Sequence, residues 1–123
     1  HSQYRLELSD HVERCLRRLP NHFPGFQFEP IVTDRGWGAA VSRDDVDLRA
    51  GRRRDNFFSR IEILIRPISD YLVLDLAAKA TVRNKEIFAR NHYQKLGEVD
   101  LEAFTELIDL WVLEFAEKYA AAE

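Results

Sequence analysis

One cysteine, no methionine, four prolines and five glycines are all that 123 residues contain of those types, and each shortage excludes something. A single thiol, Cys15, cannot close an internal disulfide. The chain therefore lacks the framework of a small cross-linked secreted scaffold and fits a reducing compartment, which makes a cytoplasmic location the expectation. No apolar run approaches the roughly 18 residues of a membrane-spanning helix, so no membrane span is expected, and nothing resembles a signal peptide. The glycines form no phosphate-binding loop. Gly36-Trp37-Gly38 lacks the third glycine and following helix of a dinucleotide fingerprint, and neither a nucleophile elbow nor a metalloprotease motif is present. With no methionine and a start at His1-Ser2, the chain is expected to be trimmed or excised from something longer.

Basic charge is also in short supply. The formal net charge is −3, which argues against a protein whose task is to grip phosphate backbones. Beyond Glu98 the chain is strongly acidic, with Lys118 as its single base. The run Arg52-Arg53-Arg54, with Trp37 available for stacking, invites a nucleic-acid reading. Asp44, Asp45, Asp47 and Asp55 share its connection and cancel much of its field, so nucleic acid is not an expected partner. The whole segment from Arg43 to Asp55 has no sustained periodicity and is expected to be a charged loop.

What the sequence has in abundance is strand chemistry between Asn56 and Thr81. Phe57, Ser59, Ile61, Ile63 and Ile65 alternate with Arg60, Glu62 and Arg66, the period of two that marks a strand with one buried face. After Pro67 the alternation resumes with inverted parity at Leu72, Leu74, Leu76, Ala78, Ala80 and Val82. A turn centred on Ser69-Asp70 would place Ile65 opposite Leu74, Ile63 opposite Leu76 and Ile61 opposite Ala78.

The remaining elements cover this hairpin. Tyr4 to Leu19 carries Leu8, Val12, Cys15, Leu16 and Leu19 on one helical stripe, with Pro20 as the expected stop. Phe26 to Thr33 alternates as a strand, and Pro30 places it at a sheet edge. Asp34-Arg35-Gly36 turns the chain into a second strand, Trp37 to Ser42. Arg83 to Leu96 fits two templates. Asn84 as N-cap, Glu86 in the first turn and Gly97 past the end favour a helix, while Ile87, Ala89 and Tyr93 alternating with Arg90 and His92 would suit a further strand. Asp100 caps a final helix whose stripe is Leu101, Phe104, Leu107, Ile108, Trp111, Val112, Phe115 and Tyr119. One α+β domain over residues 1–123 follows: a four- or five-stranded antiparallel sheet with the N-terminal helix and the long C-terminal helix packed on one face. The helical reading of Arg83 to Leu96 gives the order α-ββββ-α-α.

Chemistry-bearing residues are few. Asp45-Val46-Asp47 opens like a calcium loop, but Arg49 and Ala50 stand where a ligand and a glycine are required. His11 and Cys15, four apart on a helix, could both touch one ion; no second pair of ligands is recognisable, so neither metal nor cofactor is expected. Cys15 on a buried stripe is a core residue rather than a nucleophile. The leading expectation is therefore a non-catalytic protein-interaction module, self-associating or docking on another protein. Its candidate contacts are the outward sheet face centred on Phe58, Leu64 and Val73, and the pair Leu110 and Leu113, which project among Glu102, Glu106, Asp109 and Glu117. The alternative is a small-molecule binding or enzymatic domain with a pocket between sheet and helices, using Trp37, Arg90, His92 and Tyr93.

Overall fold

Five antiparallel strands in simple meander order form one sheet, and two long helices cover one of its faces. The computed structural model describes residues 1–47 and 55–122. Helix α1 spans Ser2–Arg17 and α2 Leu19–His22; the strands are β1 Gln27–Thr33, β2 Gly36–Asp47, β3 Asp55–Ile65, β4 Val73–Val82 and β5 Lys85–Lys95; α3 spans Leu101–Ala122. Packing of α1 and α3 against each other and the sheet buries Leu8, Val12, Leu16, Ile61, Ile63, Ile65, Leu74, Leu76, Phe104, Ile108 and Phe115 in one cluster. Each came from the periodicity that named it: period two in β3 and β4, spacings of three and four in the helices. Asp100 caps α3, its Oδ1 accepting the Ala103 N–H at 3.3 Å. Pro30 lies in β1, at the sheet edge.

Four boundaries differ from the sequence expectation. Residues 85–95 form a strand, not a helix, because Arg83 and Asn84 take positive φ values of 48° and 71° and close a two-residue turn between Val82 and Lys85. Asn84 serves that turn instead of a helix cap: its Oδ1 accepts the Phe58 N–H at 2.8 Å, and its own N–H donates to the Phe58 carbonyl at 2.8 Å. In the central hairpin Ile65 faces Leu76, Ile63 faces Ala78 and Ile61 faces Ala80. The reversal centres one residue later than expected, with the Leu72 N–H donating to the Ser69 carbonyl and Leu72 at φ 53°. That moves the register by two and leaves the same face buried.

Both ends of the expected Arg43–Asp55 loop are strand, since β2 continues to Asp47 and β3 begins at Asp55; Arg49, Ala50 and the Arg52-Arg53-Arg54 run lie outside the described residues. Finally, α1 ends at Arg17, and Pro20 falls in the first turn of α2, where a missing N–H costs nothing.

Candidate functional site

The outward sheet face is built from rows of residues fixed by strand register. One row runs Ile31, Gly38, Leu64, Ala77, Asn91. Above it lies a chain of ion pairs: Arg60 with Glu29 at 2.8 Å and Glu62 at 3.2 Å, and Arg35 with Glu62 at 3.0 Å. Leu64 is only 5% exposed and clusters with Ile31 and Ala40. The three residues expected at the centre of this face are thus separated. Leu64 is covered by its own sheet, Phe58 stands opposite Asp44 toward one end, and Val73 lies at the other, opposite Lys95.

At the Val73 end the face opens into a groove of about 900 Å³. Tyr71, 86% exposed, and Tyr93, 63% exposed, line it together with Pro67 and Val73. Its charged lining is Arg35, Arg66 and Lys95 against Asp34 and Asp75. Arg66 reaches Asp75 Oδ2 only at 3.8 Å, and Asp75 Oδ1 is buried with no donor among the described residues. Tyr93 and Lys95 belong to β5, whose far edge pairs with no strand among the described residues. Exposed tyrosines and an open backbone edge therefore meet at one place.

The four residues of the expected interior pocket do not meet. Trp37 packs beneath the start of α1, with the Arg5 guanidinium 4.3 Å from its ring centroid. Arg90 reaches α3, where both its terminal nitrogens donate to Glu114 at 2.9 and 3.0 Å. His92 lies edge-on to Phe104 with centroids 5.0 Å apart and 3.1 Å from Gln94 Nε2. Tyr93 points to the opposite face, as alternation along a strand requires. The volume between sheet and helices where these residues were placed is occupied by the apolar core.

A third constellation sits on the helix layer. Helices α1 and α3 run side by side in the same direction, so that Leu8 and His11 flank Leu101 and Thr105, and Cys15 meets Asp109. His11 Nε2 is 2.8 Å from Asp109 Oδ1, and the Cys15 thiol donates to the same oxygen at 3.2 Å. Burial, then the Asp109 hydrogen bond and charge, push the Cys15 thiol from its ordinary 9.0 up to about 11, which disfavours the nucleophilic thiolate at neutral pH. Leu110 and Leu113, beside Asp109 on α3, are 58% and 54% exposed. Asp45, one of the calcium candidates, is occupied by Arg43 at 2.6 Å and by the Tyr119 hydroxyl at 3.0 Å.

Sequence reasoning missed Asp109 as the partner of His11 and Cys15, because nothing distinguishes it from the other acids of α3 until the helices are packed. It also missed the groove as a unit. Val73 and Tyr93 were candidates for different reasons, and nothing in the sequence joined Tyr71, Arg35 and Lys95 to them as one site. No protein-family model, curated protein or solved structure matches the chain. No helix among the described residues is long and apolar enough to cross a membrane.

Proposed function

We propose that this chain is a non-catalytic protein-interaction module that receives an extended segment of a partner protein along β5, anchored in the Tyr71–Tyr93 groove. The observation that carries this is the coincidence of the groove with the open edge of β5. An added strand gains backbone hydrogen bonds from such an edge and specificity from pockets beside it. Tyrosine and arginine are the side chains that anchor protein contacts most strongly. Charge sets the partner's chemistry. Lys95 has no ion pair among the described residues, whereas Arg35 is held by Glu62; the segment would bring a carboxylate to Lys95 and an apolar or aromatic side chain to the tyrosines. The non-catalytic part of the proposal is supported by the protonated thiol of Cys15 and by the dispersal of Trp37, Arg90, His92 and Tyr93. A reducing, cytoplasmic setting belongs to the same proposal and rests on the single unpaired cysteine.

Selection of extended peptides from a randomised library tests it. Recovered sequences should alternate apolar and acidic residues, bind the full chain, and protect β5 amides from hydrogen exchange. Binding should fall on Tyr71→Ala with Tyr93→Ala and on Lys95→Glu. Peptides that bind equally well to those variants would refute the proposal. Self-association is the second reading, favoured by the exposure of Leu110 and Leu113. It ranks lower because a two-fold contact there would also bring the acids around the leucines against their own copies. A dimer in native mass spectrometry that is lost in Leu110→Glu and Leu113→Glu would reverse the ranking.

A further inference from the structure

We propose that His11, Cys15 and Asp109 form a binding site for a divalent transition metal ion, Zn²⁺ in chemical preference, clamped between α1 and α3. Three donors of three kinds converge with every ligand atom within 4.8 Å of the others. The edges of the triangle are 2.8 Å from His11 Nε2 to Asp109 Oδ1, 3.2 Å from Cys15 Sγ to Asp109 Oδ1, and 3.6 Å from Cys15 Sγ to His11 Nε2. Around a tetrahedral zinc ion with bonds of about 2.0–2.3 Å, neighbouring donors stand about 3.3–3.6 Å apart. The two edges that include sulfur are already close to that length. The His11–Asp109 edge must open by about 0.5 Å, a side-chain adjustment.

The scaffold explains why the donors meet. His11 and Cys15 stand four apart and share one face of α1. Asp109 comes from α3, fixed alongside by the buried cluster of Leu8, Val12, Phe104 and Ile108. Two of the three donors are an imidazole and a thiol, which select zinc or cobalt over magnesium and calcium. The seam opens into a groove of about 380 Å³ that His11 borders and that Glu7, Asp10 and Glu102 line. Asp10 is engaged by Arg14 at 3.2 Å, and the other acids leave a negative field at the mouth that draws cations in. Asp109 is on the solvent side of the seam, so three protein donors would leave the fourth corner of the tetrahedron to water or to a ligand. Binding releases one proton: the Cys15 thiol gives up its hydrogen as sulfur takes the metal, and His11 binds neutral through Nε2 with its proton on Nδ1.

The alternative is a hydrogen-bonded triad and nothing more, with thiol and imidazole both donating to one carboxylate oxygen. Cobalt separates the two. Full-length protein stripped with chelator and titrated with Co²⁺ should bind one ion per chain. It should show a near-ultraviolet thiolate-to-cobalt absorption and the intense visible bands of a tetrahedral ion. Zn²⁺ should displace the cobalt, and Mg²⁺ should not. The near-ultraviolet band should vanish in Cys15→Ser. Affinity in His11→Gln and Asp109→Asn should fall by more than the ~10–100-fold that loss of an outer-shell partner costs. His22→Gln, elsewhere on the surface, should leave binding unchanged. The wild-type spectrum needs no variant to fold. Its absence at saturating cobalt, its survival in Cys15→Ser, or unchanged affinity in Asp109→Asn would each overturn the site and leave the hydrogen-bonded triad.

Discussion

Replacing Asn84 by serine distinguishes the turn found at residues 83–84 from the helix cap that the sequence invites. In a helix, serine and asparagine are equivalent N-caps and glycine is nearly as good. In the observed turn they are not. Asn84 holds φ 71°, a region that asparagine tolerates and that costs most other L residues about 1–2 kcal/mol. Its Oδ1 accepts the Phe58 N–H at 2.8 Å, a bond worth a net of about 0.5–1.5 kcal/mol. Serine forfeits both, because its hydroxyl is one bond too short to reach Phe58, so Asn84→Ser should cost about 2–3 kcal/mol. Glycine keeps the left-handed conformation and forfeits the side-chain acceptor, and Asn84→Gly should cost about 1 kcal/mol. The bond from the residue 84 N–H to the Phe58 carbonyl survives in both. Urea unfolding, with the slope checked for constancy, gives the two values, and the melting midpoint for serine should drop by roughly 6–12 °C. The decisive result is the order. If serine proves neutral, or glycine is the more damaging of the two, residue 84 is not acting as a left-handed turn residue and the β4–β5 hairpin is wrong.

Two further expectations are read at other places in the sheet. Gly38→Ala would put a Cβ 2.0 Å from the Ile63 carbonyl oxygen on the neighbouring strand; because backbone must move in the middle of the sheet, it should cost at least the ~1–3 kcal/mol of ordinary overpacking, measured by denaturant midpoint, and a neutral result would mean that β2 and β3 are not in this register. The two hydrogen bonds from Arg90, more than its charge, hold the Glu114 carboxyl below its ordinary 4.5; the pair therefore adds stability above that pH which is lost as pH falls through the lowered value, and Arg90→Gln should return Glu114 to the ordinary carboxylate range in an NMR titration.

Where the sequence was legible, one physical signal dominated. Alternation in β3 and β4 named Ile61, Ile63, Leu74 and Leu76 as core, and the stripe of α3 named Phe104, Ile108 and Phe115, because burial of one face leaves a period that no other requirement disturbs. Legibility failed where two signals used the same residues. Asn84 is as good in a left-handed turn as at an N-cap, and the residues after it satisfy a helical first turn as well as an edge strand. The register of the central hairpin failed for another reason: shifting the reversal by one residue preserves the parity of both strands, so burial cannot choose between the two registers. The outward sheet face shows a third limit. Phe58, Leu64 and Val73 are all apolar and outward, yet only packing reveals that Leu64 is buried beside Ile31 and Ala40 while Val73 borders the groove. The candidate metal cluster joins positions 94 and 98 residues apart, and no local pattern encodes that distance.

The groove and the metal site occupy opposite sides of the sheet, and this separation makes a last expectation. The groove lies on the outward face among β3, β4 and β5, whereas His11, Cys15 and Asp109 sit on the far side of α1 and α3, with the apolar core between. Coupling between two sites requires an element with two arrangements that both ligands bias. Here the intervening structure is an antiparallel sheet, irregular in register only between Ala80 and Thr81 among the described pairings, and a densely apolar layer. Zinc should therefore act on stability and not on recognition. At free Zn²⁺ a hundred times its dissociation constant, mass action adds about 2.7 kcal/mol, a rise of several degrees in the melting midpoint that Cys15→Ser abolishes. The affinity of a groove-binding peptide should be the same with and without the ion. A peptide affinity that changed severalfold on loading would require α3 to shift against the sheet when α1 is tied to it, and the Arg90–Glu114 pair, which bridges β5 and α3, would then be the first contact to test as the link.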